Sequence, residues 1–112
     1  MKIKYDLTAI KNVSRGNNEL FNNMIMLFIQ NTSNELQNLE KNISDKNIEN
    51  TQTTIHKLKP SLAYLGLTPL IEELNNLKNY MINNNNDLTD KLFNKIKTNL
   101  NDIFDNLKNE II

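Results

Sequence analysis

The one histidine of this chain, His56, lies in the run Ile55-His56-Lys57-Leu58-Lys59-Pro60-Ser61-Leu62-Ala63-Tyr64-Leu65-Gly66. Wound as a helix at about 100° per residue, the run gathers Ile55, Leu58, Leu62 and Leu65 on one face. The same winding turns His56 roughly 140° away from the centre of that face. Pro60 points almost directly outward, Lys59 lies on the flank, and Ala63 follows a turn further on. An imidazole left in solvent near neutral pH is largely unprotonated, and its free ring nitrogen is a nucleophile. Standing between lysines, with small or flat residues on the next turns, it is arranged to be approached by another protein. By itself, a lone surface histidine assigns no function.

The spacing of the segment carries more. His56, Leu58, Lys59, Pro60, Ser61 and Gly66 resemble the signature of histidine phosphotransfer (Hpt) domains, roughly His-x-Leu-Lys-Gly/Pro-Ser/Ala with a glycine ten residues after the histidine. The resemblance extends to Tyr5-Asp6-Leu7, Arg15-Gly16-Asn17 and the apolar stretch Leu20 to Phe28, which look like the N-terminal half of that family. It implies that His56 takes a phosphoryl group from an aspartyl phosphate and later gives it up. Phosphoryl transfer asks a protein mainly for positioning and charge stabilisation. Lys59, three residues on, is best placed to stabilise phosphate on His56, and Lys57 is the weaker candidate. The sequence shows no carboxylate cluster with metal-ligand spacing and no phosphate-cradling glycine loop, so no metal or cofactor site of its own is expected. The resemblance implies receiver domains as partners, each bringing a phosphorylatable aspartate, Mg²⁺ and a lysine. One belongs to a hybrid sensor kinase and the other to a response regulator. In many members of the family a glutamine on the next helix orients the imidazole. The matching position here is Lys78, which cannot accept a ring N–H. That leaves Asn75, a water, or a freer ring.

The elements that must hold this site are helical throughout. Apolar residues recur at helical spacing in five stretches, roughly 6–13, 18–42, 45–65, 69–83 and 87–111. They form a single Hpt-like domain over residues 1–112, an all-α, antiparallel up-down four-helix bundle with a short N-terminal helix. Asp6, Asn17 or Asn18, Ser44 or Asp45, and Asp87 are the expected helix starts. The fifth helix carries Leu88, Leu92, Ile96, Leu100, Ile103, Leu107 and Ile111 as the cleanest stripe. Pro60 would cost a regular helix up to about 3 kcal/mol. A break at Lys59 would leave two short helices. The stripe passes through Pro60 without a change of phase, which favours one kinked helix.

Composition narrows the rest. The chain has 112 residues, one domain by length. Thirteen basic and 13 acidic side chains cancel, so no overall field recruits nucleic acid or an anionic membrane. Cysteine is absent, which removes disulfides and thiolate chemistry together. With no apolar leader and no run of spanning length, a cytoplasmic protein is expected, and its neutral surface suits a monomer. Asparagine fills 23 positions, four of them at Asn83–Asn86. Scattered among periodic apolar residues, these read as solvent positions filled by an AT-rich genome rather than an aggregating tract.

The second helix has more apolar surface than one core needs. Leu20, Met24 and Leu27 lie on a stripe offset from Phe21 and Phe28. Either the short first helix covers them through Leu7, Ile10 and Val13, or they join Pro60 and Ala63 as a semi-exposed docking patch. Two function classes follow: a phosphorelay intermediate, or a helical adaptor that binds and regulates a receiver or sensor kinase without being phosphorylated.

Overall fold

Three asparagine side chains start three of the helices. In a computed structural model, which describes residues 3–112, the elements are α1 (Thr8–Ser14), α2 (Asn18–Ser44), α3 (Ile48–Tyr64), α4 (Thr68–Ile82) and α5 (Asn86–Lys108). Among the described residues there is no strand. The Asn17, Asn47 and Asn85 side chains accept from the backbone N–H groups of Leu20 (3.0 Å), Asn50 (2.9 Å) and Leu88 (3.2 Å). Each such cap is worth about 0.5–2 kcal/mol.

Two expected starts are thereby corrected. Ser44 still belongs to α2 and Asp45 ends it in right-handed helical geometry, so neither can cap α3. That task falls to Asn47, the first residue to regain extended backbone. Asp87 lies inside the first turn of α5, where its charge suits the positive end of the helix dipole. Likewise α1 begins at Thr8 rather than Asp6. The Asp6 carboxylate accepts the Thr8 hydroxyl at 2.6 Å and the Thr8 N–H at 2.9 Å. Those bonds, the hydroxyl's first, hold the carboxyl below its ordinary pKa. Pro69 stands just inside α4, where its fixed φ fits and its missing N–H costs nothing.

All four connections are three residues long, at 15–17, 45–47, 65–67 and 83–85. Each turns on a left-handed residue: Arg15 (φ 47°) with Gly16 (φ 80°), Lys46 (φ 55°), Gly66 (φ 66°) and Asn84 (φ 56°). The run Asn83–Asn86 is therefore more than solvent filling. It supplies the end of α4, the left-handed residue, the α5 cap and the first residue of α5, and asparagine tolerates the left-handed position better than most residues. A link so short leaves each helix little choice but to fold back beside its predecessor. α2 packs on α3, α3 on α4, α4 on α5, and α5 closes against α2, with α1 laid on α2.

The core is built from the apolar faces of all four long helices, including Leu39, Leu62, Leu74, Leu77 and Ile96, none of which keeps any measurable exposure. The α5 stripe departs from its expected course at both ends. Leu88 and Ile111 are exposed, while Thr89, Phe93 and Phe104 are buried. At the start the cause is arithmetic: each step of four residues overshoots a turn by roughly 40°, so two successive steps carry Leu88 roughly 80° off Ile96. At the other end the helix stops at Lys108 rather than at the expected 111, so Ile111 lies beyond it. Phe104 meets Phe28 of α2 edge to face, with ring centroids 6.3 Å apart.

Gly66 joins the N-terminal segment to the α3–α4 corner. The Asp6 N–H donates to the Leu65 carbonyl at 2.8 Å, and a Cβ added to Gly66 would stand 3.2 Å from the Asp6 Cβ. Gly66→Ala is expected to cost about 1–2 kcal/mol, from its positive φ and that close approach. This lowers the Tm by about 5–10 °C in thermal denaturation followed by circular dichroism. Gly16, also at positive φ but with open space around it, supplies the control: Gly16→Ala should lower the Tm less. An equal loss would leave the Asp6 contact without energetic weight.

Candidate functional site

α3 decides where His56 points. Ile55, Leu58 and Leu62 are at most 2% exposed, and with that face held in the core the helix must turn His56, Lys57, Pro60 and Ala63 to solvent, where all four stand exposed. Lys59 is half-buried on the flank. The helix runs unbroken through Pro60 from Ile48 to Tyr64, and no break occurs at Lys59. Leucines buried on both sides of the proline keep the two halves in register. A further anchor is the Thr51 hydroxyl, which donates to the Asn47 carbonyl at 2.8 Å.

Beside this face runs an apolar groove. It is lined by Ile10 of α1, by Met24, Leu27 and Phe28 of α2, and by Pro60 and Tyr64 of α3. Pro60, one turn on from His56, belongs both to the groove wall and to the face of the imidazole. The short first helix only partly covers the α2 stripe. It buries Leu7 and Ile10, but Val13 is 54% exposed and Leu27 55%. Met24 is half-buried in the groove. Leu20 is exposed a turn before it, and Ala63 is exposed on α3; both lie outside the groove lining. The structure thus brings Met24, Leu27 and Pro60 together and leaves Leu20 and Ala63 at the margins.

Tyr64 was not legible as part of this surface. Its ring lines the groove and its hydroxyl donates to the Ala9 carbonyl at 3.3 Å, tying α1 to the end of α3. An aromatic residue eight positions after the histidine, on the outward side, was the signal available.

The sequence profile of the Hpt domain matches residues 23–110. The chain belongs to the Hpt domain family. The match spans most of α2 and all of α3, α4 and α5, with His56 and its lysines inside it. Tyr5-Asp6-Leu7 and Arg15-Gly16-Asn17 lie outside the matched residues. No curated protein and no solved structure matches the chain.

Electrostatically, the His56 face of this Hpt domain is cationic and uncompensated. Among the described residues, the ion pairs are Lys97–Glu40 at 3.4 Å and Lys95–Glu73 at 4.0 Å, so neither Lys57 nor Lys59 has a carboxylate in pairing range. Lys78 and Asn75 are both half-buried on α4, the helix that packs beside α3. Lys78 has no lone pair to offer a ring N–H. A second, more polar hollow lies at the end carrying the α2–α3 and α4–α5 turns, lined by Glu40, Lys46, Met81, Asn84 and Asp90 among others. It contains no residue of the His56 face. Among the described residues no group of three His, Cys, Asp or Glu side chains could hold a metal ion, and no helix is long and apolar enough to cross a membrane.

Adjacent residues of α2 separate surface from core. Leu27→Ser should change stability by no more than about 0.5 kcal/mol, since an exposed side chain gives up little on truncation. Phe28→Ala, which removes a buried ring, should cost about 3–5 kcal/mol. Urea denaturation of the two variants checks both figures, and a large loss for Leu27→Ser would mean that the groove wall belongs to the core.

Proposed function

We propose that this Hpt domain relays a phosphoryl group through His56 between two aspartate-bearing receiver domains, one of a hybrid sensor kinase and one of a response regulator. The observation that carries the reading is the solvent-facing imidazole of His56, held on an unbroken helix inside the matched span, with free cations beside it. The four long helices form the up-down-up-down antiparallel bundle to which their three-residue turns lend themselves. The domain acts as a monomer in the cytoplasm, and each receiver in turn meets the same face.

In the accepting step the lone pair of the unprotonated ring nitrogen attacks the phosphorus of the receiver's aspartyl phosphate. The N–P bond forms as the P–O bond to the carboxylate breaks. The aspartate leaves as a carboxylate, and the proton on the other ring nitrogen is free to pass to solvent. Donation to the second receiver is the same step reversed. Lys59, half-buried and so restricted in its reach, places its ammonium against the phosphoryl oxygens and offsets charge that builds up as the group moves. Lys57 adds a second, more mobile cation. Mg²⁺ comes with the receiver, whose aspartate it accompanies. Docking falls to the apolar groove with Met24, Leu27 and Pro60, and to its margins at Leu20 and Ala63. An apolar patch ringed by polar residues suits a brief encounter, and methionine lets the surface adapt to more than one receiver.

Transfer of radiolabelled phosphate from a charged receiver in the presence of Mg²⁺ tests the relay. The native chain should acquire an acid-labile, base-stable label, and His56→Gln none. Receivers that bind the chain without ever labelling it would replace the relay with a regulatory adaptor. Lys59→Ala should slow transfer about tenfold, the worth of one charge-assisted hydrogen bond, while receiver affinity changes little. A rate equal to that of the native chain would remove Lys59 from the chemistry.

A further inference from the structure

Pro60 withholds a donor that its helix would otherwise use. In an unbroken α-helix the N–H of residue 60 closes on the carbonyl of residue 56. Proline has no N–H, so within α3 the His56 carbonyl lacks its helical partner. The α3 side chains that bond main-chain carbonyls do so elsewhere. Thr51 reaches Asn47, Thr53 reaches Glu49, and Tyr64 reaches Ala9.

The position of that oxygen makes it more than a local defect. Helical carbonyls point toward the C-terminal end, so the oxygen faces from the turn of His56 toward Pro60, and both residues are exposed. It therefore lies between the imidazole and the groove that Pro60 helps to wall. In the free domain an unpaired carbonyl at an exposed position is open to water, and solvent-side carbonyls of long helices tilt outward to that end. A partner that covers His56 and the groove expels this water. A carbonyl left dry and unpaired then opposes the complex.

We propose that the His56 main-chain carbonyl, freed by Pro60, is a recognition acceptor for the docking receiver, which must present an N–H donor opposite it. The proposal rests on the relay reading and adds to it a specificity contact made by backbone rather than side chain. A receiver with the donor gains one hydrogen bond, whereas a receiver with only apolar or acceptor groups there pays the desolvation of the carbonyl and is discriminated against.

Two full-length chains altered at position 60 test it. Pro60→Ala restores the N–H and returns the carbonyl to the helix ladder. A chain with N-methylalanine at position 60, assembled by peptide ligation, loses the pyrrolidine ring but still has no N–H. Isothermal titration with a receiver should show Pro60→Ala binding about three- to tenfold more weakly than the native chain, the range of one net hydrogen bond. The N-methylalanine chain, which gives up the ring's share of the groove wall but still has no N–H, should bind about threefold or more tightly than Pro60→Ala. A carbonyl carbon-13 label at His56 should shift its infrared amide band on receiver binding in the native chain and not in Pro60→Ala. Equal weakening of both altered chains would assign the effect to the ring and overturn the proposal, as would native affinity in Pro60→Ala. Failure of the relay reading shows separately: a native chain that neither binds a receiver nor takes up label overturns both, whereas one that is labelled but indifferent to the N–H overturns this inference alone.

Discussion

Everything at the His56 face depends on the burial of one stripe along α3. Ile55, Leu58, Leu62 and Leu65 give up nearly all their exposure to the core, and each such side chain contributes about 1.5–3 kcal/mol when removed from water. Because the helix is rigid, this burial fixes more than stability. It sets the rotation of α3, and with it the direction of His56, Lys57, Pro60 and Ala63. It also holds the helix together across Pro60, whose cost of up to about 3 kcal/mol would otherwise favour a break at Lys59. A side chain positioned in this way needs no loop to present it. It inherits the order of the core beneath.

The turns show how little sequence is needed to arrange the helices. Three residues suffice at each corner because one of them accepts a left-handed backbone, and in three of the four corners the next is an asparagine that caps the following helix. At the fourth corner Leu67 precedes α4 without a side-chain cap. There the turn is held by Gly66 and by the Asp6 N–H on the Leu65 carbonyl, so the N-terminal segment braces the end of α3 at this corner. The same segment leads into α1, whose Ile10 forms one wall of the groove. Corner and groove thus share their support, and Tyr64 strengthens the link by bonding the Ala9 carbonyl.

Pro60 joins the groove to the His56 face. Its ring gives the groove a flat wall one turn from the imidazole, and its missing N–H leaves a main-chain acceptor between them. A residue that weakens the helix locally therefore adds a polar main-chain group to this surface. The leucines on either side keep that weakness from spreading.

What the sequence by itself determined was the set of apolar stripes and, through them, which side of α3 carries His56. Helical periodicity depends only on residue spacing, so Phe21, Phe28, Leu39, Leu58, Leu74 and Ile96 could be assigned to the core without knowledge of their neighbours. The signature around His56 was equally local, and it led to the family. Helix starts at Asn47 and Asn85 were less legible, because Ser44, Asp45 and Asp87 are equally good capping residues by type. Only the length over which α2 and α4 stay packed decides where the chain is released to turn. The drift of the α5 stripe, which exposes Leu88 and buries Phe93 and Phe104, and the end of that helix at Lys108, short of Ile111, likewise required the partner helices, since a periodic pattern does not say where along its length the core begins and ends. Whether α1 covers Leu27 was decided by tertiary structure alone. A helix of seven residues can bury only what lies within reach of Leu7 and Ile10, and where those two land is set by the Asp6–Leu65 and Tyr64–Ala9 bonds, between residues 55 or more positions apart in the chain.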